Sequence, residues 1–102
     1  MQSAIPVLFD QPAVLFPLGQ IVATPRALHF MEQYQVSPLA LLTRHVQGDW
    51  GSVAPEDAAS NNQAITQRNR ILSSYIVHGE ERVWIITEWN RAITTLLLPR
   101  EY

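Results

Sequence analysis

The chain has 102 residues, a hydrophobic fraction of 47% and a charged fraction of 16%. This length suits one domain with a single core, and the apolar content excludes intrinsic disorder. A formal net charge of −2 gives no overall attraction to nucleic acid or to anionic lipid, and the absence of cysteine excludes disulfides and thiolate metal sites.

The sequence predicts an extended N-terminal segment followed by one folded domain. Prolines interrupt the apolar run over residues 1–17, which favours an extended N-terminal segment. Residues 18–102 are expected to form a single α+β domain. The start of the chain lacks the basic region of a signal peptide, and its apolar runs are too short to cross a bilayer. We therefore expect a cytoplasmic protein without membrane association.

A short strand and three helices are predicted next. Residues 18–23 read as the strand, and Thr24 then caps a helix over residues 25–34 that carries proline at its first position. A second helix opens at Ser37-Pro38 and ends at Gly48. The third starts at Pro55 with acidic residues in its first turn, where the helix dipole favours them. Its polar run, Ser60-Asn61-Asn62-Gln63, is expected to face solvent or a ligand.

The last third of the chain predicts a β-sheet. Three stretches rich in β-branched and aromatic residues are separated by two turn signals, His78-Gly79-Glu80 and Trp89-Asn90-Arg91. This pattern is typical of an antiparallel meander, and the strand at residues 18–23 is a candidate fourth member. The predicted fold class is α+β, with an N-terminal strand and two to three helices packed on a C-terminal meander of three to four antiparallel strands.

Several motifs of the chain occur in combination in one group of proteins. They are Arg44-His45-x-x-Gly48-Asp49-Trp50-Gly51, Glu56-Asp57, Ile71-Leu-Ser-Ser-Tyr75, Trp84-Ile-Ile-Thr-Glu88-x-x-Arg91 and Thr94-Thr-Leu-Leu-Leu-Pro99-x-x-Tyr102. With them, residues 16–102 resemble a family of small bacterial proteins of plasmids and integrative elements, labelled "plasmid-related protein". The resemblance implies a bacterial mobile element and no particular chemistry. The turn at Trp89-Asn90 departs from the family, where smaller residues are expected.

The sharpest catalytic candidate is His45 with Asp49. A histidine near a helix end, with a carboxylate four residues further on, can be held in one tautomer as a general base. Alternatively, Asp49 caps the loop and His45 is structural. Trp50, between two glycines, is either an exposed stacking platform or a core residue that holds the loop.

Polar residues also gather around the second turn of the predicted meander. Thr94 and Thr95 are expected to present one hydroxyl on each face of the sheet. With Arg91 they form either a site for phosphate or for developing charge, or a structural turn with a Glu88–Arg91 ion pair. The candidate catalytic set is therefore His45, Asp49, Arg91, Thr94 and Thr95. The candidate binding set is Trp50, Tyr75, Trp84, Glu88 and Trp89.

Two functional hypotheses follow. The first is a non-catalytic module that binds a protein partner, or a second copy of the chain, through apolar and aromatic surface left by the low charge content. The alternative is a metal-independent ribonuclease or toxin-like enzyme with a layout like that of barnase or RelE. The net charge disfavours nucleic acid as a partner. The histidines and carboxylates show no metal-ligand spacing, so neither a metal nor another cofactor is predicted.

Overall fold

A computed structural model describes residues 13–102, and the earlier part of the predicted N-terminal segment lies outside this range. The α+β class and the predicted order of elements are confirmed. The elements are β1 (Gln20–Ala23), α1 (Pro25–Gln33), α2 (Pro38–Val46), α3 (Pro55–Gln67), β2 (Ile71–His78), β3 (Glu81–Thr87), β4 (Ile93–Leu97) and a 3-10 turn (Pro99–Glu101).

Local sequence signals account for the helix starts. The Thr24 side chain accepts a hydrogen bond from the Ala27 amide at 3.0 Å, and Ser37 accepts one from Ala40 at 3.3 Å. Each of the three helices carries proline in its first turn, where its missing N–H is harmless. The third has no side-chain cap, and Glu56 and Asp57 occupy its first turn as predicted.

The four strands form one mixed sheet in the order β1-β4-β3-β2. Strands β2, β3 and β4 make the predicted antiparallel meander. Strand β1 joins it through parallel pairing with β4, with Gln20 opposite Ile93 and Ala23 opposite Leu96. The first strand and the last strand are therefore neighbours, and the loops that flank them lie close together.

One face of the sheet, here called the core face, packs on α1 and α2. Residues directly opposite each other on neighbouring strands share a face, and the registers Tyr75–Val83 and Ile85–Leu96 place these four residues together. They form the main core with α1 and α2 residues (Ala27, Phe30, Met31, Leu41 and Leu42). The alternating residues, among them Leu72, Trp84 and Thr95, belong to the opposite face.

Helix α3 lies along the outer edge of β2. The Asn61 side chain donates to the Leu72 carbonyl at 2.8 Å and accepts from the Leu72 amide at 3.2 Å, as a neighbouring strand would. Asn61 is therefore buried, although its polar run was expected to face solvent or a ligand. Further along the same edge, Ser74 exchanges backbone hydrogen bonds with Trp50 and Ser52. These contacts protect an edge that would otherwise be open to another strand.

None of the helices within residues 13–102 has the length and apolarity needed to cross a membrane.

Candidate functional site

His45 lies at the centre of a buried chain of hydrogen bonds. Its Nδ1 is 2.6 Å from Ser73 Oγ and its Nε2 is 2.9 Å from Thr87 Oγ1. Thr87 Oγ1 lies 2.8 Å from Thr94 Oγ1, which donates to the Leu18 carbonyl at 2.7 Å. The four side chains come from α2 and from three adjacent strands, and all are fully buried.

The Leu18 carbonyl at one end of this hydrogen-bond chain fixes the direction of the protons from Thr94 to Nε2 of His45. Because a carbonyl only accepts, the Thr94 hydroxyl donates to Leu18, and Thr94 Oγ1 must accept from the Thr87 hydroxyl. Thr87 Oγ1 then accepts from Nε2–H of His45. In the neutral imidazole, Nδ1 accepts from the Ser73 hydroxyl. The network therefore requires a proton on Nε2 of His45, and the neutral imidazole of this tautomer satisfies every bond in it.

The surroundings of His45 favour the same neutral state. Burial, and then the positive charge of Arg91, lower the pKa of His45 from its usual 6.5 to about 4. Phe16 packs edge-on against the imidazole at 5.2 Å between ring centroids, and Trp50 does so at 6.0 Å. A Ser–His pair with this geometry has the elements of a nucleophile and a base. Here, however, aromatic rings cover the histidine and solvent does not reach the serine.

The predicted pairing of His45 with Asp49 is wrong. Asp49 is exposed and forms a two-pronged ion pair with Arg44, with N–O distances of 2.7 and 3.3 Å. This hydrogen bond is the main reason why the pKa of the Asp49 carboxyl lies below its usual value. The second oxygen of Asp49 also accepts from the Gly51 amide at 3.2 Å. Asp49 therefore organises its own loop, as the alternative interpretation proposed.

The predicted Glu88–Arg91 ion pair is also not formed. The Arg91 guanidinium donates to the carbonyl of Ala64 at 2.6 Å, of Asn69 at 2.7 Å and of Glu88 at 3.1 Å. Arg91 is only 7% exposed, and burial lowers the pKa of its guanidinium. The Glu88 side chain pairs instead with Arg70, at 3.2 Å. Arg91 thus joins the C-terminal end of α3 to the β3–β4 turn. Its positive charge is favourable there, because the C-terminal end of a helix is the negative end of the helix dipole.

Trp50 and Tyr75 belong to the core rather than to the surface. Trp50 stacks on Phe16 at 6.2 Å and donates from Nε1 to the Asn62 side chain at 3.0 Å. The Tyr75 hydroxyl donates to the Asp49 carbonyl at 2.6 Å, and burial raises the pKa of this phenol to about 12. Trp50 therefore holds its loop against α3, which is the structural role that the sequence left open.

The remaining predicted residues are divided between the two faces of the sheet and its second turn. Thr94 lies on the core face and Thr95 on the opposite face, as the alternation predicts. Trp89 stands out from the β3–β4 turn with 62% of its surface exposed. The candidate catalytic residues consequently do not share one solvent-accessible cleft, because His45, Arg91 and Thr94 are buried while Asp49 lies on an outer loop.

A different constellation forms on the opposite face, in a cleft of about 340 Å³ between α3 and strands β2 and β3. We call it the Trp84 cleft; its lining residues are Val53, Asp57, Ser60, Asn61, Arg70, Leu72 and Trp84. The partly buried indole of Trp84 and the aliphatic side chain of Leu72 give it an apolar wall. Tyr102 packs edge-on against Trp84 at 5.6 Å and continues the aromatic surface beyond the cleft.

Two of the four polar side chains that line the Trp84 cleft already have partners. The Asn61 amide is bonded to the Leu72 backbone, and the Arg70 guanidinium is bonded to Glu88 and to the Tyr102 hydroxyl. Asp57 and Ser60 lie three residues apart on one face of α3. Neither side chain makes a hydrogen bond or an ion pair to another residue within 13–102. The cleft therefore offers a free carboxylate and a free hydroxyl beside an aromatic wall.

A larger and more open groove of about 590 Å³ lies on the other side of the molecule. It contains Arg26, Arg100 and His29, together with the aromatic rings of Phe30 and Tyr34. Glu81 also lines it, and both arginines lower the pKa of the neighbouring Glu101 carboxyl, after its hydrogen bonds to Leu98 and Thr24. These opposite charges balance one another, so the groove is a weaker candidate for an ion or a charged ligand.

Reasoning from sequence included Trp84 and Glu88 among the binding residues but missed their neighbours. Asp57 was noted only in the Glu56-Asp57 motif of the third helix and Arg70 in none, and they meet Trp84 only because α3 runs beside β2. The spacing of Asp57, Ser60 and Asn61 was the one local signal that these side chains share a helix face.

Comparisons with protein-family models, with curated proteins and with solved structures gave no match to this chain. The site is therefore interpreted from its own geometry. Within residues 13–102, no group of three or more histidine, aspartate or glutamate side chains is arranged to hold a metal ion.

Proposed function

We propose that this chain is a non-catalytic module that binds a protein partner through the Trp84 cleft. One observation carries the proposal: His45, Arg91 and Thr94 are held in buried structural hydrogen bonds, whereas the Trp84 cleft keeps polar groups without a partner in residues 13–102 beside a partly buried indole. Aromatic side chains with limited rotational freedom are favoured anchors in protein interfaces.

The exposed apolar residues near the cleft support this proposal. Tyr102 is exposed beside Trp84, and Ile76 is half exposed on β2, on the same face of the sheet as Leu72. An aromatic and aliphatic surface with a few polar groups at its border is typical of a recognition site. As a further part of the proposal, the resemblance to plasmid-related proteins supports a bacterial mobile element as the context of such a module, and we propose that it acts in the cytoplasm.

Panning a displayed library of random peptides tests the proposal. We expect the wild-type chain to enrich peptides whose affinity falls at least roughly tenfold in Trp84→Ala, the loss typical of an interface anchor. The matched control is Leu39→Ala, which removes an exposed apolar side chain from α2. Urea unfolding of both variants verifies that they remain folded. Failure to enrich any peptide, or equal binding to wild type and Trp84→Ala, would refute the proposal.

The same variants show whether the partner is a second copy of the chain. In that case light scattering records a mass that rises with protein concentration, and Trp84→Ala abolishes the rise while Leu39→Ala does not. The ribonuclease alternative predicts cleavage of a labelled RNA by the purified chain. Because Asp49 is the most exposed member of the candidate catalytic set, that activity would be lost in Asp49→Ala.

A further inference from the structure

We infer that two copies of this chain pair through the outer edge of β1 and join their sheets into one continuous sheet. This second interaction surface is independent of the Trp84 cleft. The inference follows from the backbone groups that β1 directs outwards, from the composition of this strand, and from the cover on the opposite edge of the sheet.

The outer edge of β1 presents backbone groups that have no partner within the described part of the chain. The Gln20 and Thr24 amides donate to carbonyls on the β4 side, both at 3.0 Å. Because successive residues of a strand direct their N–H and C=O groups to opposite sides, Ile21 and Ala23 direct theirs outwards. No residue of the range 13–102 is hydrogen-bonded to them there. Gln20 is exposed and Ile21 is 49% exposed, so this edge lies at the surface.

The composition of β1 permits pairing with an identical strand. The strand is Gln20-Ile-Val-Ala23, and it contains no charge, no proline and no bulge, which are the features that usually keep an open edge from pairing. Its short length limits the number of new hydrogen bonds but does not prevent them. Two copies of an uncharged strand meet without electrostatic repulsion, whereas a charged residue would lie near its own copy.

A twofold axis through Val22 gives the pairing with the most hydrogen bonds. In this antiparallel register Ile21 of each copy lies opposite Ala23 of the other, and both pairs exchange their N–H and C=O groups. An axis through Ile21 or Ala23 leaves a single pair, because Gly19 has a left-handed backbone and Pro25 has no N–H. The first register also places the larger isoleucine beside the smaller alanine on the core face, where both side chains lie.

The cover on the other edge of the sheet limits the assembly to a dimer. Asn61 is bonded to the outer edge of β2 at Leu72, and Trp50 and Ser52 are bonded to it at Ser74. A third copy therefore finds no open strand in the described part of the sheet. Contact through the same edge of both subunits is isologous and closes on itself, so a dimer is expected rather than a filament.

The surroundings of β1 favour a second copy over an extended peptide of another protein. Peptides that add a strand to a sheet are usually selected by pockets for alternate side chains. The Trp84 cleft and the groove at Arg26 contain no residue of β1. A strand of four residues also gives a smaller contact than the about 800 Å² per partner of a stable complex. We therefore expect a weak dimer with a dissociation constant of roughly tens to hundreds of micromolar.

Analytical ultracentrifugation of the full chain tests the inference with two matched variants. We expect the wild-type mass to rise from monomer towards dimer between micromolar and millimolar concentrations. Ile21→Glu brings two carboxylates to the paired edges and should weaken the dimer at least roughly fivefold. Ile76→Glu makes the same change on β2, at a side chain 50% exposed against 49% for Ile21, and should change dimerisation less than about twofold. Both variants change the net charge equally, and urea unfolding verifies that both are folded.

Hydrogen exchange of the wild-type chain gives a second measurement that needs no variant. The Ile21 and Ala23 amides become bonded only in the dimer, so their exchange should slow as the protein concentration rises, in proportion to the remaining fraction of monomer. The Gln20 and Thr24 amides are internal references, because they are already bonded on the β4 side. Their protection should not depend on concentration.

Three results would overturn the inference. They are a chain that stays monomeric over the whole range, equal dimerisation of Ile21→Glu and Ile76→Glu, and a dimer in which the Ile21 and Ala23 amides exchange at the same rate at every concentration. A monomer is also the result expected if residues 1–12 of the same chain occupy the β1 edge.

Failure of the inference is distinguishable from failure of the proposed function, because peptide binding at the Trp84 cleft is measured separately. A dimer that is abolished by Trp84→Ala but not by Ile21→Glu would refute pairing through β1 and assign self-association to the cleft. A dimer that is weakened by Ile21→Glu and unchanged in Trp84→Ala supports pairing through β1, whatever the peptide selection yields.

Discussion

Ser73 Oγ lies 2.6 Å from His45 Nδ1, and both side chains are fully buried. The pair has the spacing of a serine and its general base, but its burial in the core makes its role structural. The imidazole joins α2 to β2 through Ser73 and to β3 through Thr87. A buried polar chain in which every group has a partner stabilises one specific packing, whereas loss of a single member leaves its neighbours unsatisfied.

The first prediction concerns the dependence of stability on pH. The pKa of His45 is about 4 in the folded chain and near its usual 6.5 after unfolding. Between these values the unfolded chain binds a proton that the folded chain does not, so the free energy of unfolding decreases as the pH falls from about 6.5 towards 4. The full difference corresponds to roughly 3 kcal/mol. Urea unfolding followed by tryptophan fluorescence measures it.

His45→Gln isolates this contribution from that of other titrating groups. The variant is expected to be less stable than wild type at pH 8, because glutamine cannot reproduce both hydrogen bonds of the imidazole. Between pH 6.5 and 4, however, its stability should decrease less steeply than that of wild type. The control is His78→Gln, since His78 is exposed on the β2–β3 hairpin and stacks on Tyr34. If wild type and His45→Gln show parallel pH profiles, the histidine is not held neutral by the fold.

The helix starts and the meander could be predicted from the sequence because their causes are local. Thr24-Pro25 and Ser37-Pro38 contain both the cap and the first helical residue, and each cap forms the expected hydrogen bond. The alternation of apolar residues that predicts each strand of the meander is likewise a pattern of residues that are close together in the sequence. Parallel pairing of β1 with β4 has no such local cause, because it joins residues more than 70 positions apart.

The hydrogen-bond partners of His45 and Arg91 could not be predicted, because they too are distant in the sequence. His45 is paired with Ser73 and Thr87, which are 28 and 42 residues away, whereas sequence reasoning chose the nearest carboxylate, Asp49. Arg91 similarly finds the Ala64 carbonyl 27 residues earlier rather than the neighbouring Glu88 side chain. Polar residues on sheet and helix faces are thus recognisable in sequence, but the packing of those faces decides which of them meet.

The second prediction is that Arg91 is a structural residue with a large effect on stability. Arg91→Ala removes one guanidinium that satisfies three backbone carbonyls, and should decrease the free energy of unfolding by about 3 kcal/mol. Arg91→Lys keeps the charge but lacks the planar donors, and should lie between wild type and the alanine variant. Urea denaturation provides the measurement.

The control for Arg91 is Arg100→Ala. Arg100 is exposed on the 3-10 turn, and its guanidinium donates no hydrogen bond within residues 13–102. Its replacement should change the stability by less than about 0.5 kcal/mol. An Arg91→Ala chain as stable as Arg100→Ala would contradict the structural role and return Arg91 to the set of residues free to bind a ligand.

The third prediction compares two glycines that share a left-handed backbone but differ in their surroundings. Gly51 has φ of +76° and Gly79 has φ of +60°, so alanine is strained at either position. A Cβ at Gly51 would lie 2.1 Å from the Ser74 carbonyl oxygen, whereas nothing lies within 4 Å of a Cβ at Gly79. Gly79→Ala should therefore cost about 1 kcal/mol from the backbone alone. Gly51→Ala should cost at least about 2 kcal/mol more, within the range of severe packing defects.

Hydrogen exchange locates the origin of this difference. The clash at Gly51 pushes the loop away from β2, so the Ser52 and Ser74 amides, which are bonded across this edge at 2.7 and 3.0 Å, should lose protection in Gly51→Ala. They should keep it in Gly79→Ala. Equal stabilities of the two variants, with both amides still protected in each, would show that the loop does not depend on its close approach to the β2 edge. The Gly48-Asp49-Trp50-Gly51 motif would then need an explanation other than folding.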